Sequence, residues 1–306
     1  AQGATLVAQC RTLTLQDWLS RLPSDMIEKD GWLQFWQGMC LLPFGPVQSR
    51  VHFEQALDLF KSSRDANGVF QAWCSVVATF LYGWGDFAPL DEWITEIETL
   101  LREYPTFPSG ETEDRVVANV LGAPAFRQPD HPHVGMWAER AWALIQTAQD
   151  SNRRVITGFM LTLYHLWMGH IAKAAAVSEV LRETVRTHAV SPLSQLVQKA
   201  AEAYYQWQMA DTPACLKAVT DGLDIAQTSG VHILDAELLA QGAYGALTAG
   251  DCETAQDFLK RMFAVLDHNR LSDVIHCHFV SSWAALLQGD VARAAQHAET
   301  AVSMEI

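Results

Sequence analysis

The sequence predicts an all-α chain, an α-solenoid of about seven helical hairpins with a period near 40 residues. Three observations lead there. Apolar residues recur at helical spacing along nearly the whole chain, as in Val51, Phe53, Ala56, Leu57 and Phe60, or Phe258, Leu259, Met262, Phe263 and Leu266. No strict alternation of apolar and polar residues runs longer than a few positions, so nothing asks for a strand. Finally, a small residue followed seven positions later by a turn residue repeats along the chain.

In order, the pairs are Gly38 and Gly45, Ala78 and Gly85, Gly122 and Pro129, Thr162 and Gly169, Ala203 and Ala210, Ala243 and Gly250, and Ser282 and Gly289. Successive turn residues lie 40, 44, 40, 41, 40 and 39 positions apart. Asp86, Asp130, Asp211, Asp251 and Asp290 come directly after the turn and are expected to cap the next helix, each carboxylate accepting free N–H groups of the first turn. Ala174, Cys215, Ala255 and Ala294, five residues past their turns, place a second small side chain at the same crossing. Such a pair lets two antiparallel helices approach closely. One hairpin cannot bury its apolar face alone, so neighbours are expected to stack. The 44-residue unit holds its extra residues around Tyr104–Gly110, where Pro105 and Pro108 end a helix and make a loop, not a domain boundary. The chain is therefore expected to form one repeat domain over residues 1–306. It ends within a helical pattern and without a polar capping helix, which suggests a piece of a longer polypeptide.

The spacing from small residue to Gly-Asp to Ala resembles the tetratricopeptide repeat, whose usual unit is shorter. Asp17-Trp18-Leu19 leading to Leu22-Pro23, and Phe53-Glu54-Gln55-Ala56-Leu57 through Phe60, are similar to one group in particular. They resemble the helical-repeat region of MalT-like bacterial transcriptional regulators of the LuxR or SARP type. That resemblance implies a right-handed superhelix and a cytoplasmic ligand- or protein-binding sensor segment. It further implies that an ATPase module and a DNA-binding domain lie elsewhere in the polypeptide. Neither is legible here: no Gly-Lys pair exists for a phosphate loop, and no basic recognition helix can be drawn. A stand-alone protein-interaction adaptor is the alternative.

Thirty-five acidic against twenty-one basic side chains, a formal charge of −14, argue against direct nucleic-acid binding by this chain. The six cysteines, Cys10, Cys40, Cys74, Cys215, Cys252 and Cys277, lie far apart and read as buried free thiols. Residues 66–85 carry no charge, but Asn67, Gln71, Ser75 and Thr79 give that helix a polar face, and residues 155–172 contain His165 and His170, so neither reads as a membrane span. His276-Cys277-His278 points three ways on a helix, and Asp130-His131-Pro132-His133 reads as turn chemistry, so no metal is expected. Glu96 and Glu98 face different directions. With no nucleophile–base spacing, no enzyme and no cofactor are expected.

What remains is surface. In tetratricopeptide arrays the first helix of each hairpin lines the concave face. Carried over, that register implies a groove of Tyr204, Trp207 and Gln208, then Glu237 and Tyr244, then His276, Phe279 and Trp283. Phe159 and Trp167 extend it on one side, and Ser75, Thr79 and Tyr82 belong to the second unit. The expected patch is aromatic and neutral-polar, rimmed by Gln208 and Glu237, and suited to a protein helix or a neutral or weakly cationic small-molecule inducer.

Overall fold

Each turn residue named above falls between two helices. The computed structural model describes residues 3, 6, 11–42, 45–83, 85–268 and 270–304. Among these, from Thr12 onward, sixteen helices follow one another and no strand is present. Where the sequence suggests one domain, the packing groups the chain into two compact units, residues 1–128 and 129–306, which divide at the third turn residue, Pro129.

The first unit holds α1 (Thr12–Ser20), α2 (Ser24–Lys29), α3 (Gly31–Leu41), α4 (Pro46–Ser63), α5 (Ala66–Gly83), α6 (Leu90–Glu103) and α7 (Gly110–Arg127). Helices α3 and α4 cross at Gly38, where a Cβ would come within 2.6 Å of the Phe53 ring. Ser49 Oγ donates to the Gly38 carbonyl across the same contact at 2.7 Å. The polar face of α5 is not turned to water. Asn67 Oδ1 accepts from Thr112 Oγ1 at 3.0 Å, and Thr79 Oγ1 accepts from Arg50 Nε at 2.8 Å. Between them, Gln71 Oε1 and Ser75 Oγ accept from the Arg115 guanidinium at 2.5 and 2.9 Å. A stripe of four polar residues is thus a hydrogen-bonded ladder joining α5 to α4 and α7. Buried polar groups persist only with such partners.

The second unit holds α8 (Val134–Thr147), α9 (Ser151–Trp167), α10 (Ile171–Thr187), α11 (Pro192–Gln208), α12 (Thr212–Ser229), α13 (Asp235–Thr248), α14 (Cys252–Val265), α15 (Leu271–Leu287) and α16 (Val291–Ser303). From α9 to α16 these form four hairpins. Each first helix packs on its own second helix and on the next first helix, α9 on α11, α11 on α13 and α13 on α15. The turns need left-handed backbone: Gly169, Gly250 and Gly289 have φ of 72°, 76° and 78°, and Ala210 adopts 55°. Ala203, Ala243, Ala174, Cys215 and Ala255 are fully buried, and Ser282 Oγ donates to the Ala294 carbonyl at 2.8 Å, joining both small positions of one crossing.

Three of the five expected aspartate caps form. Asp211, Asp251 and Asp290 accept from the amides of Ala214, Thr254 and Arg293 at 3.1, 3.0 and 3.0 Å. Asp86 and Asp130 do not cap. Extra residues separate them from helices that begin only at Leu90 and Val134; Asp86 instead closes a local turn with the Ala88 amide at 2.7 Å. Cys40, Cys74, Cys215 and Cys277 are buried, Cys252 is half-buried, and all five are free thiols; Cys10 lies outside the described residues. Burial pushes the Cys40 thiol up to about 11 and those of Cys74, Cys215 and Cys277 to about 12, which keeps them protonated and unreactive. Among the described residues, no helix is long and apolar enough to cross a membrane.

Two stability predictions test these contacts. In Gly242→Ala, the new Cβ meets the Phe258 ring of α14 at 2.7 Å; it and Ala243→Leu should each cost about 1–3 kcal/mol, measured by urea unfolding. Arg115→Met, which removes the donor from Gln71 and Ser75, should likewise cost about 1–3 kcal/mol, whereas a change at exposed Arg21 should have little effect.

Candidate binding surface

Helices α11, α13 and α15 lie side by side, so residues at 3- and 4-residue spacing on each face the same way. This brings Trp207, Tyr244, His276, Phe279 and Trp283 together. The Tyr244 ring is the hub. Trp207 stacks on it at 4.9 Å with the planes 29° apart, and His276, Phe279 and Trp283 approach it at 6.3, 6.2 and 6.2 Å. Offset and edge contacts at these separations are the favourable ones for aromatic quadrupoles. The Trp207 indole is held by a hydrogen bond from Nε1 to Thr248 Oγ1 at 3.0 Å. Phe159 on α9 reaches Tyr204 on α11 at 6.4 Å, a separate ring pair between neighbouring first helices.

The patch is layered rather than wholly exposed. Phe279 is 54% exposed, Trp207, His276 and Trp283 are half-buried, and Gln208 is exposed at the end of α11. Tyr204, Tyr244 and Phe159 are buried. Glu237, expected on the rim, is instead 1% exposed, because α13 is covered by α11 on one side and α15 on the other; it stands two turns before Tyr244 on the same helix face. Trp167 is exposed at the end of α9. Ser75 and Thr79 are fully buried in the ladder of the first unit and, unlike the expectation, present no groove surface; Tyr82 on the same helix is half-buried.

Beside the rings, Glu237 and His276 join Gln241, a residue the sequence reading did not name, in a polar group. Glu237 Oε1 accepts from the Tyr204 hydroxyl and from Gln241 Nε2 at 3.4 Å. Glu237 Oε2, Gln241 Oε1, His276 Nδ1 and Ser272 Oγ are buried and have no hydrogen-bond partner among the described residues, with Glu237 Oε2 and His276 Nδ1 4.0 Å apart. Asp273, also buried, is held by Arg270 Nε at 2.5 Å; burial outweighs that cation and raises its carboxyl, with the nearby Glu237 adding to the rise. Burial and the Glu237 carboxylate push the Tyr204 hydroxyl well above its usual range, and the same causes raise Tyr244. The spacing Glu237 to Gln241 is one helical turn, which is the signal that would have paired them.

The histidine motifs resolve separately. His276 faces the rings, Cys277 is buried in the core, and His278 pairs through Nδ1 with Nδ1 of His297 on α16 at 3.0 Å. His131 and His133 face each other with ring centres 5.5 Å apart in the turn before α8. His165 on α9 is 3% exposed with Nδ1 unpartnered. Burial, with the charges of Lys173 and His170, lowers its pKa from 6.5 to about 4. Between these values the unfolded chain binds the proton that the folded chain refuses. Stability should therefore fall as pH drops from 6.5 to 4, by about 3 kcal/mol from this group. His165→Phe should flatten the dependence in that window, as read by unfolding at several pH values. Compared with models of known protein families and with curated protein sequences, the chain matches none.

Proposed function

We propose that the chain is a ligand- or protein-binding sensor segment of a bacterial transcriptional regulator similar to the MalT-like group, acting in the cytoplasm through the aromatic patch of its second unit. The observation that carries the binding reading is the set of rings joined through Tyr244 across three adjacent helices. Large rings placed on an open helical face, with Phe279 more than half exposed, offer apolar area and π-faces to an occupant. An occupant touching α11, α13 and α15 at once would favour one mutual arrangement of those helices, which is how binding biases a conformational equilibrium. The reading is of a binding protein rather than a catalyst, with no cofactor and no direct contact to nucleic acid. A stand-alone adaptor using the same patch for an amphipathic helix is the second reading, favoured by the absence of lysine and arginine among the patch residues.

Titration with the neutral fluorophore Nile red tests the patch. Saturable binding should fall by about tenfold in Phe279→Ala combined with Trp283→Ala, while the melting temperature changes little. Unchanged binding in that variant would remove the patch as a binding surface. Coding sequence on either side separates the two readings: a phosphate loop upstream and a helix-turn-helix at the far end belong to the regulator.

A further inference from the structure

Resting on the reading of the patch as a binding surface, we infer that it recognises an organic ammonium ion, the positive head seated against Glu237, Gln241 and His276 and the apolar body lying on the rings. The inference starts from the unpartnered atoms. Glu237 and Gln241 are each 1% exposed, yet Oε2 of one and Oε1 of the other accept no hydrogen bond. His276 Nδ1, equally unpartnered, lies 4.0 Å from Glu237 Oε2. That gap is too long for a direct hydrogen bond and fits one nitrogen bonded to both. A buried carboxylate oxygen without a donor is costly, and a cation that supplies donors removes the cost.

A primary ammonium carries three N–H donors and no acceptor, the complement of two amide or carboxylate oxygens and one imidazole nitrogen. The surroundings exclude the opposite charge. Asp273 is buried nearby and already occupies Arg270, so the two carboxylates here, Glu237 and Asp273, outnumber the one cation. Beside the acceptors, Tyr244, about one turn past Gln241 on α13, meets His276 at 6.3 Å and, with Trp207 stacked on it and Trp283 next to it, offers negative π-faces to a cation and apolar area to its carbon skeleton. His276, with 32% of its side chain exposed, stands between the buried acceptors and solvent. A carboxylate beside an aromatic cluster therefore selects both charge and body: a small amine with an aromatic or aliphatic tail.

The probe is 2-phenylethylammonium, with 2-phenylethanol as its neutral counterpart and tetramethylammonium as a cation without N–H donors. Binding is read by tryptophan fluorescence and by calorimetry at constant ionic strength. The expected order is 2-phenylethylammonium tightest by about tenfold or more over both comparators, in keeping with the strength of charge-assisted hydrogen bonds. Glu237→Gln should erase that preference, and Gln241→Leu, which leaves the carboxylate in place, should weaken the amine several-fold with circular dichroism unchanged. Equal binding of amine and alcohol, or an unchanged preference in a folded Glu237→Gln protein, would overturn the inference. If Nile red binding is still lost in the Phe279 and Trp283 variant, the patch stands and only the ammonium assignment falls. If neither Nile red nor the amine binds, both fall together.

Discussion

The close approach of antiparallel helices at small side chains governs everything else in the second unit. Ala203 and Ala243 on the first helices and Cys215 and Ala255 on the second are fully buried, and Ser282 bonds across the last crossing to the Ala294 carbonyl. Because the crossing is tight, each hairpin is narrow. Narrow hairpins allow first helices to touch the next first helix directly, instead of only through a second helix. The layer formed by α9, α11, α13 and α15 follows from that distance, as does the alignment of residues one turn apart on neighbouring helices. Dispersion and area burial then hold the layer, since a contact gap of a fraction of an ångström would forfeit much of the attraction.

That layer explains why the rings and the buried acceptors occupy the same place. A helix in the middle of a row is covered on two sides, so its polar residues either find partners or stay buried without them. Glu237 and Gln241 are on such a helix, and Tyr204 on its neighbour satisfies only one carboxylate oxygen. The aromatic side chains stand next to them, with Phe279 the most exposed and Trp207, His276 and Trp283 half-buried. The chemistry is lopsided: acceptors at one end, π-faces at the other, and the guanidinium of Arg270 drawn away to Asp273.

Helical content was legible, and the seven named turn residues fall between helices, because glycine, small residues and apolar periodicity act locally. The Asp211, Asp251 and Asp290 caps were legible for the same reason. Asp86 and Asp130 carried the same signal but stand before longer loops, and loop length is not set by the aspartate. Ring contacts around Tyr244 follow from register alone, since equivalent positions on stacked helices must be neighbours. The burial of Glu237 does not, because it depends on what α11 and α15 place over it. The ladder on α5 shows the same limit. Its period of four was plain, but a polar stripe facing water and one facing donors on two other helices look identical until Arg50, Thr112 and Arg115 are in place.

The ladder also has a mechanical meaning. Apolar side chains slide over one another with little resistance, since dispersion has no direction. Hydrogen bonds at Asn67, Gln71, Ser75 and Thr79 do have direction, and they are spread along three turns of one helix. Advancing α5 by a single residue would rotate all four by about 100° and break them together. Helices α4, α5 and α7 are therefore pinned against creep and against packing in a shifted register, in the way teeth index a rack. Any rearrangement within that unit must move the three helices as one block or melt them outright, which confines gradual adjustment to helix pairs joined by apolar contact alone.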